Sequence, residues 1–345
     1  MDGRARYTDR PLVSHRSTWP ARFVVAAVLF VVVLVVGLRG LGLPGPGLRG
    51  DRRGHAIAIR GAVAGPLPLL PRPLLHDDAD RDGLPDSLEA ALAARYAPAV
   101  VLSPDEQNRP ASIGWLLARV APAGISADDA AKRLLTGQLK IGGRAFPDEV
   151  RVGSGDPRDW VTYVHVYPRL DGGINVQYWF FYPYNEAPLF FAHEGDWEHV
   201  TVELDAGGMP RAVDFAEHAN NDPGLSRPWR EVRRSGDHPI VLSARGTHAS
   251  YPDQATVSWF DLTSQCRALE GCADPIWRTW EGGGLANVGE RGAALGAGEV
   301  LAYGGRWGGD GRLLRSRPSP RSPFHQRGFW SAGFDGLVAE RAAGL

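Results

Sequence analysis

Between positions 160 and 245 the chain carries five runs rich in β-branched and aromatic residues: WVTYVHVYPRL (160–170), INVQYWFFYPY (174–184), HVTVELD (199–205), RAVDFAEH (211–218) and HPIVLSAR (238–245). Turn signals such as DGG, DAGG and GD separate them. Runs of this kind bounded by such turns predict strands, and five in close succession predict an antiparallel sheet or sandwich. The expected fold class is therefore mainly β, an antiparallel β-sandwich with short helices. Composition agrees, because Gly and Pro make up about a fifth of the 345 residues without a collagen period, which favours short turns and excludes a helical bundle. Helices are expected over 85–96, with Leu88, Leu92 and Tyr96 on one stripe and Pro98 ending it, and over 126–137, with Ser126 as N-cap and Gly137 as stop. Residues 281–328 read as surface loops pinned to the core by Trp307, Phe324, Phe329 and Trp330, and no internal repeat is visible.

The front of the chain follows a different logic. Residues 23–38, FVVAAVLFVVVLVVGL, are 16 positions without a polar side chain. At about 1.5 Å per residue they span about 24 Å of a roughly 30 Å hydrocarbon core, and Trp19, Arg22 and Arg39 are placed to anchor the interfaces. The segment predicts one N-terminal transmembrane helix, an uncleaved signal anchor, since no A-x-A-like site follows it; a cleaved signal peptide is the competing reading. The layout expected is a cytoplasmic tail (1–22), the span (23–38), a Pro/Gly/Arg stalk (39–75), a calcium loop (76–90) and a β-sandwich domain (91–345). An anchor with most of the chain after it exports that domain, giving a single-pass cell-membrane protein with an extracytoplasmic C-terminal part and the membrane as partner through 23–38. Cys266 and Cys272, in QCRALEGCAD, fit an oxidising compartment if they pair, although buried reduced thiols are the alternative. Basic and acidic residues balance at 38 against 39, which argues against a nucleic-acid partner.

DADRDGLPDSLE places Asp78, Asp80, Asp82, Gly83, Asp86 and Glu89 at positions 1, 3, 5, 6, 9 and 12 of an EF-hand-type loop. The spacing has a physical reason. Alternate residues on a tightly wound loop turn their oxygens inward, Gly83 permits the sharp bend, Leu84 offers its carbonyl, and Glu89 closes the site from the following helix. Calcium is the expected ion. PLPLLPRPLL upstream forbids an incoming helix, so the loop is isolated and structural, like those of dockerins and thrombospondin type 3 repeats; a solvated acidic turn is the plain alternative.

A second cluster, HEGDWEH, crowds His193, Glu194, Asp196, Glu198 and His199 into seven positions. On an extended segment Asp196 and Glu198 share one face and Trp197 and His199 the other, with His193 expected in the loop leading in. Imidazole and carboxylate together suit Mg, Ca, Mn or Zn. The structural alternative is a turn in which Asp196 accepts backbone N–H groups and a histidine is internally satisfied. His248, in SARGTHASY, is a further polar candidate for the same end of the domain.

The segments 94–117, 176–188, 193–205 (HEGDWEHVTVELD) and 242–252 (LSARGTHASYP) resemble the vacuolar protein sorting-associated protein 62 family over roughly residues 90–330, a family without a settled activity. FAHEGDWEHV also resembles the G-H-R-H-D-W-E heptapeptide of necrosis- and ethylene-inducing-like proteins, secreted β-sandwich cytolysins that bind a divalent cation. That resemblance implies a second cation site formed by Asn185, His193, Asp196 and Glu198. Two departures stand out: Asn185 replaces a carboxylate, and Glu194-Gly195 replaces the Arg-His pair. Cytolysis does not follow from so short a motif.

Two functions compete. One is a membrane-tethered binding module for a glycan, lipid or protein, organised by divalent cations. The other is a metal-dependent hydrolase, or a membrane-active protein, in which His193, Asp196 and Glu198 hold the ion and Glu194, His199 or His248 is the base. HEGDWEH lacks the second His of H-E-x-x-H, and no nucleophile elbow, P-loop or dinucleotide motif appears, so binding is preferred over catalysis.

Overall fold

A computed structural model describes residues 77–142, 145–187, 191–216, 225–258, 261–309 and 318–326. All of them fall within the Leu69–Leu345 unit of the chain. The tail, the 23–38 segment, the stalk, Phe329 and Trp330 lie outside the described residues. No helix among the described residues is long and apolar enough to cross a membrane.

The elements run α1 (Asp86–Tyr96), β1 (Ala99–Val101), α2 (Ile113–Val120), α3 (Ala127–Leu135), α4 (Asp148–Arg151), β2 (Thr162–Pro168), β3 (Ile174–Asn185), β4 (His193–Leu204), β5 (Pro210–Phe215), β6 (Leu225–Pro228), β7 (Arg234–Ser235), β8 (His238–Ser243), β9 (Ser250–Tyr251), β10 (Ile276–Arg278), β11 (Leu285–Asn287), β12 (Gly289–Glu290) and β13 (Ala293–Ala294). The fold is mainly β with few helices. One sheet has six strands in the order β11-β2-β3-β4-β5-β6, and a second has β10-β1-β8-β7 with β9 also on β8. The antiparallel expectation holds along β2 to β6 but fails at two places, because β11 runs parallel to β2 and β1 parallel to β8. Both sheets are therefore mixed. Each parallel contact joins strands distant in sequence, which local turn signals cannot reveal.

Alternation along β3 explains its aromatic density. Val176, Tyr178, Phe180 and Tyr182 face a core shared with Val100, Val241 and Trp277 of the other sheet. Trp179 and Phe181 face the opposite way, into a second core with Ile113, Leu116, Leu134, Trp307 and Phe324. A strand buried on both faces has no polar register, so its sequence reads as continuous aromatic and aliphatic residues. Trp307 and Phe324 pin the 281–326 region as expected, although that region also contains β11, β12 and β13.

The helices follow their caps. Ser112 Oγ accepts the Trp115 N–H at 3.0 Å to start α2, and Ser126 Oγ accepts the Asp129 N–H at 3.1 Å to start α3. Gly137, at φ 72°, ends α3 where a side chain would be strained. In α1 the buried stripe is Glu89, Leu92, Ala93 and Tyr96, and Leu88 is turned out at 40% exposure. A charged residue on a buried helical stripe requires a partner.

Candidate functional site

The loop before α1 brings further carboxylates towards Glu89 rather than a partner. Arg81 and Gly83 have φ of 66° and 96°, and these left-handed residues curl the chain so that the acidic side chains converge. Gly83 N–H donates to Asp78 Oδ2 at 3.2 Å and Leu84 N–H to Asp82 Oδ1 at 2.6 Å. Carboxylate oxygens of Asp78, Asp80 and Asp82 lie within 4.8 Å of one another. Asp80 and Glu89 are 3% and 0% exposed, yet Asp78 Oδ1, both Asp80 oxygens and Glu89 Oε1 have no hydrogen-bond partner. Burial is the largest influence on all three inner acids, pushing Asp80 up to about 6, Asp82 to about 7 and Glu89 to about 9. A buried ionised carboxylate without a partner costs several kcal/mol, a cost that a hard divalent cation would remove for Asp78, Asp80 and Asp82; Glu89 is not among the donors that close to within 4.8 Å.

One loop position departs from the sequence pattern. Asp86 turns its carboxylate to the Ala79 N–H, at 3.1 and 3.3 Å, and so braces the loop from outside. Leu84 packs its side chain against the inter-sheet core. Glu89 Oε2 accepts Asn287 Nδ2 at 2.6 Å, a contact that nothing in the loop's own sequence announces.

The HEGDWEH cluster is not a loop. His193 opens β4 opposite Asn185, and the register sets Asp196 against Tyr182 and Glu198 against Phe180. Asp196 and Glu198 therefore point between the sheets, while Trp197 enters the second core, as alternation requires. Gly195, at φ 61°, admits no side chain, since an added Cβ would meet the carbonyl oxygen and Cβ of Trp307.

Asp196 is the hub of this end. Its Oδ2 accepts His248 Nδ1 at 2.9 Å and Asn185 Nδ2 at 3.2 Å, and its Oδ1 lies 3.8 Å from His193 Nε2. His248 Nε2 contacts the Asn108 carbonyl at 3.1 Å and lies 3.8 Å from Glu106 Oε1. Burial alone would push His248 down, but Asp196 and Glu106 outweigh it and raise the imidazole to about 9. Glu106 is drawn below the usual range, because His248 and the N–H groups of Gly246 and Asn108 outweigh its burial. Burial pushes Glu198 well up, with Asp196 and Asp261 adding to it. Asp261 in turn accepts Thr247 Oγ1 at 2.8 Å and Tyr251 OH at 2.6 Å.

The other candidates have separate roles. Glu194 Oε1 accepts the Phe146 N–H at 2.5 Å and lies 3.4 Å from Arg151 Nη2, which ties β4 to α4. His199 sits on the opposite face against Trp179, 4.3 Å between rings, and burial lowers it to about 4. The donors of His193, Asp196 and Glu198 do not close to within 4.8 Å as a group, whereas those of Asp78, Asp80 and Asp82 do. Cys266, Cys272 and Asp274 also converge, but the two sulfurs are bonded to each other as the expected disulfide, with Cα atoms 5.4 Å apart. Glu106 and Asn108, Thr247, and Asp261 escaped the sequence reading because they come from three segments remote from β4 in sequence.

No family model matches the chain. Among curated proteins it is similar to two from Saccharomyces cerevisiae. The vacuolar protein sorting-associated protein TDA6 is 26% identical over 169 residues, 40% of this chain and 36% of that protein. Vacuolar protein sorting-associated protein 62 is 24% identical over 121 residues, 30% of this chain and 26% of that protein. The chain thus spans about a third or less of the length of these relatives. Among solved structures, Necrosis and Ethylene inducing Protein 2 from the causal agent of cocoa's Witches Broom disease gives a TM-score of 0.37 at 18% identity, covering 73% of this chain and 89% of that one. NLPPya in complex with mannosamine gives 0.35 at 16% identity, covering 72% and 88%. Both resemblances read from the sequence reappear in these comparisons. Scores below 0.5 do not establish a shared fold, so no residue role rests on them.

Proposed function

We propose that this chain is a membrane-anchored, extracytoplasmic binding module: a two-sheet, sandwich-like domain whose entrance is stiffened by calcium and which presents a surface to a glycan, lipid or protein. The observation that carries the cation is the pair Asp80 and Glu89, buried and with unpaired carboxylate oxygens on a loop of calcium spacing. The apolar 23–38 segment supports the anchor, and the Cys266–Cys272 bridge supports an oxidising compartment. A lone loop suits the millimolar calcium found outside cells. The test is thermal unfolding of the full-length chain in detergent, with calcium and with EDTA. Calcium at about a hundredfold excess over Kd adds about 2.7 kcal/mol, and Asp80→Asn plus Asp82→Asn removes that gain. Calcium without effect on the wild-type chain refutes the proposal.

A second reading places another divalent cation at His193, Asp196 and Glu198, with Asn185 beside them. What favours it is charge: Glu106, Asp196, Glu198 and Asp261 are all buried at this end with one imidazole, His248, among them. Hydrolysis is not favoured. His248 is raised to about 9 and so carries its proton at neutral pH, Glu194 is held by Phe146 and Arg151, and His199 lies on the opposite face of β4.

A further inference from the structure

The calcium loop is not self-contained. Asn287 ends β11, and its Nδ2 reaches Glu89 Oε2 at 2.6 Å across 198 residues of sequence. That hydrogen bond fixes one oxygen of the closing carboxylate and leaves the buried Oε1, which has no partner, as the atom that can face an ion. Three residues on, Glu290 Oε1 is 2.8 Å from His165 Nε2, and His165 is fully buried on β2.

The segment between them is rigidly set. β11 pairs in parallel with Thr162 to Val164, Val288 N–H donates to the Val164 carbonyl at 2.9 Å, and Gly289 N–H donates to Asn287 Oδ1 at 3.3 Å. Gly289 has φ 66°, and a Cβ there would fall 2.7 Å from Leu295 Cγ. The turn therefore holds Asn287 and Glu290 in one arrangement.

We infer that Asn287 belongs to the cation site as the residue that orients the closing Glu89, and that the Glu290–His165 contact holds in place the turn that carries it. The ion then joins residues 78–89 to residues 287–290 and so fastens the start of the folded region to the β11 edge of the six-stranded sheet. This rests on the loop binding calcium, as proposed above. It extends that proposal from a local stiffener to a clasp between chain segments about 200 residues apart.

Calcium titration calorimetry on the full-length chain in detergent, stripped with EGTA beforehand, tests it with two variants. Asn287→Ala weakens calcium binding about tenfold or more at unchanged stoichiometry, as loss of an outer partner of a metal ligand does, and Glu290→Ala, which frees the turn from His165, weakens it in the same direction. Hydrogen exchange on the wild-type chain gives a readout that needs no variant: calcium protects the 285–294 amides together with those of 78–89. Variants that bind within about twofold of wild type, with protection confined to 78–89, overturn the clasp and leave the loop assignment intact. Absence of calcium binding by the wild-type chain overturns both.

Discussion

Replacing His248 with Gln removes the positive charge that holds Asp196 and Glu106 together. The imidazole is 1% exposed and stacks on Tyr182 with ring centroids 3.7 Å apart and planes 4° from parallel. Its hydrogen bonds link β4 to the 103–108 segment and to the turn between β8 and β9. The raised value, about 9 against 6.5, corresponds at about 1.4 kcal/mol per unit to a stabilisation of about 3 kcal/mol. That agrees with the roughly 3–5 kcal/mol lost when one partner of a buried ion pair is removed. The folded-state value lies above the unfolded one, so this stabilisation is complete below about pH 6.5 and is lost as pH rises through about 9. Urea unfolding of the full-length wild-type and His248→Gln chains, in EDTA and detergent at about pH 6 and about pH 10, measures it. The difference between the two chains cancels the titration of Glu89 and Asp214, raised to about 9 and about 8. The expected gap is about 3 kcal/mol near pH 6, shrinking markedly near pH 10. A gap below about 1 kcal/mol near pH 6, or one of equal size at both pH values, refutes the account of His248 as a buried cation.

Gly195→Ala costs about 2–4 kcal/mol, from a left-handed backbone position and a forced contact with Trp307; an unchanged urea midpoint contradicts this. Opening the Cys266–Cys272 bridge, whose partners are six residues apart, costs about 2 kcal/mol because the closed loop is short, read as a lowered Tm in the Cys266→Ser plus Cys272→Ser chain. Asp196→Ala plus Glu198→Ala leaves calcium at the 78–89 loop, so elemental analysis still finds that ion; its loss would mean that the two regions are not independent. Alkaline carbonate extraction leaves the chain in the membrane fraction, and recovery in the soluble fraction contradicts the anchor.

Much of the sheet was legible because β2, β3 and β5 are runs of β-branched and aromatic residues between clear turn signals. In the front half of β4 the two faces were legible but the start was not, since His193, expected in the loop leading in, opens the strand. Asp196 and Glu198 are tolerated in a buried strand by His248 and the polar groups around it, and those arrive from remote segments. The short strands β1 and β11, three residues each, pair in parallel with distant partners and leave no local trace. The convergence of Asp78, Asp80 and Asp82 around the bend at Gly83 was legible because it is local, whereas Asp86 turns to the Ala79 N–H instead. Asn287, Glu290 and His165 were invisible for the opposite reason, since their placement depends on how β11 docks on β2. Leu88 was assigned to the wrong face because apolar spacing gave no warning that Glu89 would be the buried residue.

Elemental analysis of the full-length chain, equilibrated with millimolar calcium and freed of excess ion, tests the central claim most directly. The wild-type chain retains calcium, and Asp80→Asn plus Asp82→Asn loses one equivalent while keeping its fold by circular dichroism. A wild-type chain that retains no calcium, or a double variant that retains as much as wild type, contradicts the account.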